Sequence, residues 1–132
     1  MIHITEKRDQ ILKYISEYVL DPLVCRELGE PLLFRAGDLF GFYEDEHKDV
    51  KAFFCVSIKA ERAFLRYVYV RPNERGNGIF GRLIEEVESL CKEAGISQIT
   101  AISTNTALPL YLKRGYSVRK SHVNYHNIQK QL

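Results

Sequence analysis

The spacing of hydrophobic positions along this chain changes several times, and each change marks an element. Residues 2–4 alternate apolar and polar (Ile2, His3, Ile4) and predict a short first strand. Residues 6–20 then place Ile11, Ile15, Tyr18 and Val19 on one face of an amphipathic helix. Asp21-Pro22 ends that helix, because the residue before a proline is driven out of the helical region. The stretch from there to Pro31 carries no consistent period. Residues 32–43, interrupted at Gly37-Asp38, and residues 50–60 read as strands joined through the charged turn 44–49. A third run, Phe64 to Val70, is rich in aromatic and β-branched residues, so three consecutive strands form an antiparallel meander. Pro72 ends it, since proline cannot donate to a sheet ladder. Ile79, Leu83, Val87, Leu90 and Ala94 next recur at helical spacing, and Gly95 supplies the stop. Residues 96–103 return to a strand, which the helical crossover makes parallel to the 64–70 strand. A short helix over 107–114 stops at Gly115, and residues 116–128 supply one or two final strands. This order predicts an α+β fold: a mixed central sheet of about six to seven strands flanked by helices.

Composition narrows the class without naming a chemistry. The chain has 132 residues, the size of one domain spanning 1–132. Its 45% hydrophobic and 27% charged content is that of a soluble globular protein. A net charge of +2 is too small to argue for nucleic acid. Cys25, Cys55 and Cys91 are odd in number, widely spaced and set among apolar residues. They read as reduced core residues of a cytoplasmic protein, not as a disulfide frame or a metal site. No apolar stretch approaches the ~18 residues of a membrane span, and the first residues lack the apolar core of a secretion signal.

The chemistry concentrates between Leu65 and Leu83. The strand ends at Pro72, and Arg75-Gly76-Asn77-Gly78 forms a tight turn into a helix. Two glycines and an asparagine accept positive φ and turn backbone N–H groups inward. The helix adds its unpaired N–H groups and the positive end of its dipole. Strand, glycine loop, helix start and arginine together make a cradle for a pyrophosphate. Gly76 to Gly81 formally satisfies the G-x-G-x-x-G dinucleotide fingerprint, but two features oppose that reading. Five residues, 71–75, separate the strand from the first glycine, and residues 99–104 carry no carboxylate where a ribose-binding acid belongs.

Val68-x-Val70-x-Pro72-x-x-Arg75-Gly76-x-Gly78-Ile79 instead resembles the acyl-CoA-binding motif of the GNAT superfamily of N-acetyltransferases. A second segment, Ala107-Leu108-Pro109-Leu110-Tyr111-Leu112-Lys113-Arg114-Gly115-Tyr116, resembles that family's A-x-x-(L/F)-Y-x-K-x-G-(F/Y) element, in the family's order and separation. The resemblance implies a sheet whose strands splay around the coenzyme A site. It also implies a single reaction: direct transfer of an acetyl group from acetyl-CoA to a primary amine of a protein, peptide or small molecule. Val68, Tyr69 and Val70 would pair with the pantetheine through their main chain. Arg75, Gly76, Asn77, Gly78, Ile79, Phe80 and Gly81 would hold the pyrophosphate, with Asn105 beside them. Tyr111 would protonate the departing thiolate. Phe80 stands where the family usually carries Gly or Ala, and the small residue comes one place later, at Gly81. Thr104 occupies the family's usual asparagine position, with Asn105 one step on.

The general base stays open among Glu44, Glu61, Tyr67, His122, His126 and a water held by main-chain carbonyls. His122 and His126 read first as surface-strand histidines, and no metal is expected. Two other readings stay beside the enzyme: a degenerate coenzyme A-binding regulatory module, and an acyltransferase acting on nucleic acid or its bases. Arg114, Arg119, Lys120 and Lys130 give the latter faint support. The acceptor is unassigned, and a homodimer remains open.

Overall fold

The computed structural model describes residues 1–19, 21–28, 32 and 35–132. Its seven strands are β1 (Ile2–Thr5), β2 (Asp38–Glu44), β3 (Val50–Lys59), β4 (Arg62–Val70), β5 (Gln98–Thr104), β6 (Ser117–Ser121) and β7 (Tyr125–Gln131). They form one sheet in the order β1-β2-β3-β4-β5-β7-β6. The helices are α1 (Arg8–Val19), α2 (Pro22–Leu28), α3 (Ile79–Glu93) and α4 (Leu108–Leu112). The expected α+β architecture with a mixed sheet is present: β4 and β5 are parallel and every other pair is antiparallel.

Several boundaries differ from the sequence expectation for local reasons. Residues 22–28, which lack an apolar period, form α2. Pro22 fits a first helical turn, where no N–H is needed, and the Leu23 N–H donates to Asp21 Oδ1 at 2.9 Å. Residues 29–31, which follow it, lie outside the described residues. The strand expected over 32–43 begins only at Asp38, after the positive-φ turn at Gly37, and residues 33–34 lie outside the described set. Ala94 is exposed; the buried stripe of α3 runs instead through Ile79, Leu83, Ile84, Val87 and Cys91.

Two cores lie on opposite faces of the sheet. Helix α3 packs its stripe on Ala52, Phe54, Leu65, Ile99, Ala101 and Ile128. Ile11, Ile15 and Tyr18 of α1 and Val24 of α2 cover Phe40, Phe42, Phe53, Tyr67 and Tyr69. Tyr18 donates its hydroxyl to the Val50 carbonyl at 2.6 Å and accepts from Arg71 Nε at 2.9 Å, which anchors α1 to the far end of β4.

The feature that positions the site is a bulge in β4. Cys55 pairs with Tyr67 and Val56 with Leu65, so Arg66 has no partner across the ladder. Before the bulge, Ala63 and Leu65 face α3; after it, Val68 and Val70 face α3 while Tyr67 and Tyr69 face α1 and α2. The parallel ladder to β5 runs from Arg62–Gln98 to Leu65–Ala101 and stops where the bulge begins. Beyond it β5 continues along β7 as far as Thr104–Tyr125, so β4 and β5 part and leave a rift. The Arg66 side chain, 6% exposed, pairs with Asp38, 2% exposed, and donates to the Tyr67 hydroxyl at 3.2 Å. Asp38 also accepts the Arg35 N–H at 3.0 Å.

Asp38→Ala strands a buried guanidinium and is expected to cost about 3–5 kcal/mol in urea unfolding. A loss below about 1 kcal/mol, the worth of an exposed pair, would show that this contact does not hold the bulge.

Candidate active site

The rift opens into a cavity of about 710 Å³. Val68, Tyr69 and Val70 form one wall, and Thr104, Thr106, Ala107 and Leu110 form the other. The floor is the loop and first turn of α3, through Arg75, Gly76, Gly78, Ile79, Phe80 and Gly81. Because Tyr69 faces α2 while Val68 and Ile79 face α3, the cavity passes through the sheet and reaches Glu27 and Leu28 of α2.

The loop takes its shape from backbone conformation. After a single 3-10 turn, Pro72–Glu74, the chain reverses at Gly76 (φ 85°) and Gly78 (φ 80°). A Cβ at either glycine would touch nothing within 4 Å, so positive φ, not crowding, requires glycine there. Gly78 is the N-cap of α3 and no side chain caps it. The first N–H groups of that helix therefore remain available to an anion. Asn77 does not adopt positive φ; its Nδ2 donates to the Glu74 carbonyl at 3.3 Å, and it is off the cavity wall.

Three cations border the cavity: Arg75, Lys113 and Arg114. Arg75 donates Nε to the Val70 carbonyl at 2.9 Å, lies 5.6 Å over the Tyr69 ring and pairs with Glu27. Burial first, and then the Glu27 charge, push the Tyr69 phenol above its ordinary value. The Arg114 guanidinium crosses the first turn of α3, where a Cβ on Gly81 would overlap it, and reaches Glu85 at 3.5 Å. This accounts for the displaced small residue: Gly81 makes room for Arg114. The sequence reading missed Lys113, Arg114 and Glu27 at the cavity. The Lys-Arg pair inside the second motif was the available signal for the first two; Glu27 gave none.

Tyr111 lies one ring behind the wall. It packs edge-on against Phe80 at 5.1 Å and Tyr116 at 5.2 Å. Its hydroxyl makes no hydrogen bond among the described residues. Burial alone pushes its pKa well above that of a free phenol. Asn105 turns away from the cavity: its Oδ1 meets His126 Nε2 at 2.6 Å and its Nδ2 donates to the Val123 carbonyl at 3.1 Å. Its neighbours Thr104 and Thr106 take the wall positions. Among the candidate bases, His126 is held between Asn105 and Ser121, His122 stacks on Tyr125 at 4.3 Å, and Tyr67 is buried under α1 and α2. Glu44 ends β2 and Glu61 sits in the β3–β4 turn, both off the cavity. Among the described residues, the carboxylates on the wall are Glu27 and Glu74. Glu27 is paired with Arg75, and Glu74 lies 3.6 Å from Lys51. Among the described residues, no three metal-binding side chains gather, and no helix is long and apolar enough to cross a membrane.

Comparison with known proteins fixes the class. Residues 38–131 match the family profile described as "Acetyltransferase (GNAT) domain". The chain belongs to the GNAT acetyltransferase family. The fold is similar to a GNAT-family acetyltransferase from Staphylococcus aureus Mu50 (TM-score 0.77, 16% identity, 100% of this chain and 99% of that one). It is also similar to the PaiA N-acetyltransferase of Thermoplasma acidophilum in complex with coenzyme A (TM-score 0.68, 15% identity, 100% and 99%). N-acetylglutamate synthase from Neisseria gonorrhoeae, complexed with coenzyme A and N-acetyl-glutamate, is a third (TM-score 0.75, 17% identity, 100% of this chain and 35% of that one). No curated protein matches the chain.

Gly78→Ala forces a side-chain-bearing residue into the left-handed region, at about 1–2 kcal/mol. Thermal or urea unfolding should show that loss although the added methyl meets no atom. An unchanged stability would mean that the loop relaxes to negative φ.

Proposed function

We propose that this protein transfers an acetyl group from acetyl-CoA to a primary amine of a peptide, protein or small molecule by direct attack. The observation that carries this reading is the single cavity that joins an uncapped helix start and three cations to an apolar rift crossing the sheet. Those residues fit acetyl-CoA. The open amides of α3, with Gly76 and Gly78, match a pyrophosphate, and Arg75, Lys113 and Arg114 supply positive charge. Val68, Ile79 and Leu110 offer apolar contact to the pantetheine arm, and the free edge of β4 past Arg66 offers it main-chain hydrogen bonds. Acetyl-CoA, when bound, supplies an activated thioester. Main-chain N–H groups of 68–70 would polarise its carbonyl, a preorganised arrangement that needs no movement during reaction.

Tyr111 is the residue assigned to protonate the sulfur. Phe80 and Tyr116 fix its ring, and its hydroxyl has no competing partner among the described residues. That free donor favours a catalytic domain over a module that only binds coenzyme A. The raised pKa keeps Tyr111 protonated near neutral pH, so it remains a donor there.

Acetyl-CoA at millimolar concentration should raise the melting temperature, because a ligand that binds only the native state stabilises it by mass action. Arg75→Glu should abolish that shift while costing no more than about 1 kcal/mol of stability, since its pair with Glu27 is partly exposed. Absence of a shift in the native protein would remove the cofactor assignment; a retained shift in the variant would place the phosphates elsewhere.

Tyr111→Phe should lower kcat about 10²-fold with little change in acetyl-CoA affinity. The native pH–rate profile should show no alkaline decline from Tyr111 up to about pH 10, because its raised pKa lies above that limit. Unchanged kcat in the variant would leave Tyr111 a packing residue.

A further inference from the structure

We infer that the acceptor is the N-terminal α-amine of a peptide that carries acidic side chains within its first few residues. The inference rests on the acetyl-transfer reading and names the substrate class of the same site.

Among the described residues, nothing covers half of one sheet face. The core beneath α1 and α2 draws on β2, β3 and β4 and, among the described residues, takes nothing from β5, β6 or β7. On β5, Ile99 and Ala101 point to α3, so alternation puts Thr100 and Ile102 on the bare face. Ile102 is 48% exposed and Phe64, across from Thr100, is 38% exposed. A second cavity of about 410 Å³ lies there, lined by Phe64, Thr100, Arg119, Lys120 and Asn127 with the edges of Ala101 and Ile128. It begins at the last β4–β5 pairs, directly below the rift. Among the described residues its lining includes two cations and no carboxylate, and neither the Arg119 nor the Lys120 side chain has an ion pair or hydrogen bond. Apolar surface with two uncommitted cations complements an acidic segment carrying an apolar side chain.

The spacing sets the register of that segment. Thr104 stands on the rift wall and Thr100 in the second cavity, four residues apart on β5, or roughly 13 Å at about 3.3 Å per strand residue. An extended peptide of about four residues with its amine in the rift spans that distance, so acidic side chains within its first few residues come near Lys120 and Arg119 and an apolar one near Ile102 or Phe64.

The cavity's acid–base character points to the same kind of amine. Glu27 and Glu74, the wall carboxylates among the described residues, are committed to cations. An α-amine with pKa near 7.7–8.0 is roughly one-third neutral at pH 7.5, whereas a lysine side chain near 10.4 is only about 0.1% neutral. An α-amine reacts here without a strong base. Its nitrogen bonds to the acetyl carbon as the C–S bond breaks, its surplus proton passes to water, the thiolate takes the Tyr111 proton, and water returns a proton to Tyr111 to restore the phenol.

The test uses two tetrapeptide amides with free N-termini. Both begin serine, phenylalanine; one ends in two glutamates and the other in two arginines. Coenzyme A release is followed with a thiol reagent, and the modified nitrogen is located by mass spectrometry. The acidic peptide should exceed the basic one in kcat/KM by at least about tenfold. Joint Arg119→Glu and Lys120→Glu substitution should erase that ratio and leave the acetyl-CoA melting shift intact. Lys120→Gln alone, an exposed change, should reduce the ratio partway. Equal or reversed rates, or an unaltered ratio in the variants, would overturn the inference. So would no turnover of either peptide by protein that shows the acetyl-CoA shift, or a stable dimer, seen by sedimentation, that buries Phe64 and Ile102; all these leave the acetyl-transfer reading standing. A native protein without the acetyl-CoA shift would overturn both.

Discussion

One unmatched residue, Arg66, governs the architecture of this domain. Its insertion into β4 reverses which side chains face α3 and ends the parallel ladder with β5. Every β4 residue on the cavity wall lies after it. Without the bulge, hydrogen bonds to β5 would continue past Leu65 and no rift would form. The buried pair of Arg66 with Asp38 gives the inserted residue a single place to go. Such pairs add little net stability compared with apolar packing, but removing one partner strands a charge, so the contact fixes geometry. It also ties β4 to the first residue of β2 and hence to the meander.

Electrostatics at the loop follows from this geometry. Among the described residues the cavity wall holds three cations and two carboxylates, and Glu27 occupies the guanidinium of Arg75. An anion arriving at the loop meets open amides at once, but it gains Arg75 only in competition with Glu27. Binding at the loop is therefore linked to α2, the helix at the other mouth of the cavity. Arg114 faces a weaker competitor, since Glu85 is 3.5 Å away and largely exposed.

The two motifs and the strand-helix-strand unit between them were legible in the sequence because their signals are local. Glycines at a turn, a proline at a strand end and a 3.6-residue stripe each report on neighbours in the chain. The bulge was not legible: Leu65-Arg66-Tyr67 reads as ordinary alternation, and only pairing with Cys55 and Val56 shows that a residue is extra. Helix α2 was missed because its signal is a cap, Asp21 before Pro22, with only Val24 buried. Asn105 was placed at the cofactor by its proximity to the motif. Its side chain points to His126, a partner 21 residues away that no local pattern reveals.

Tyr111 is likewise held by distant contacts, although it stands on a short helix. Five residues of α4 cannot stiffen a side chain by themselves. The restraint comes from the far side, where Glu88 of α3 accepts the Tyr116 hydroxyl at 3.2 Å and Lys130 of β7 at 2.8 Å. Tyr116 then backs Tyr111, and Phe80 closes the other edge. The large residue at position 80 is therefore part of a ring stack. It narrows the cavity and sets the orientation of the Tyr111 phenol behind its wall. A small residue there would widen the floor and leave that ring without its edge contact.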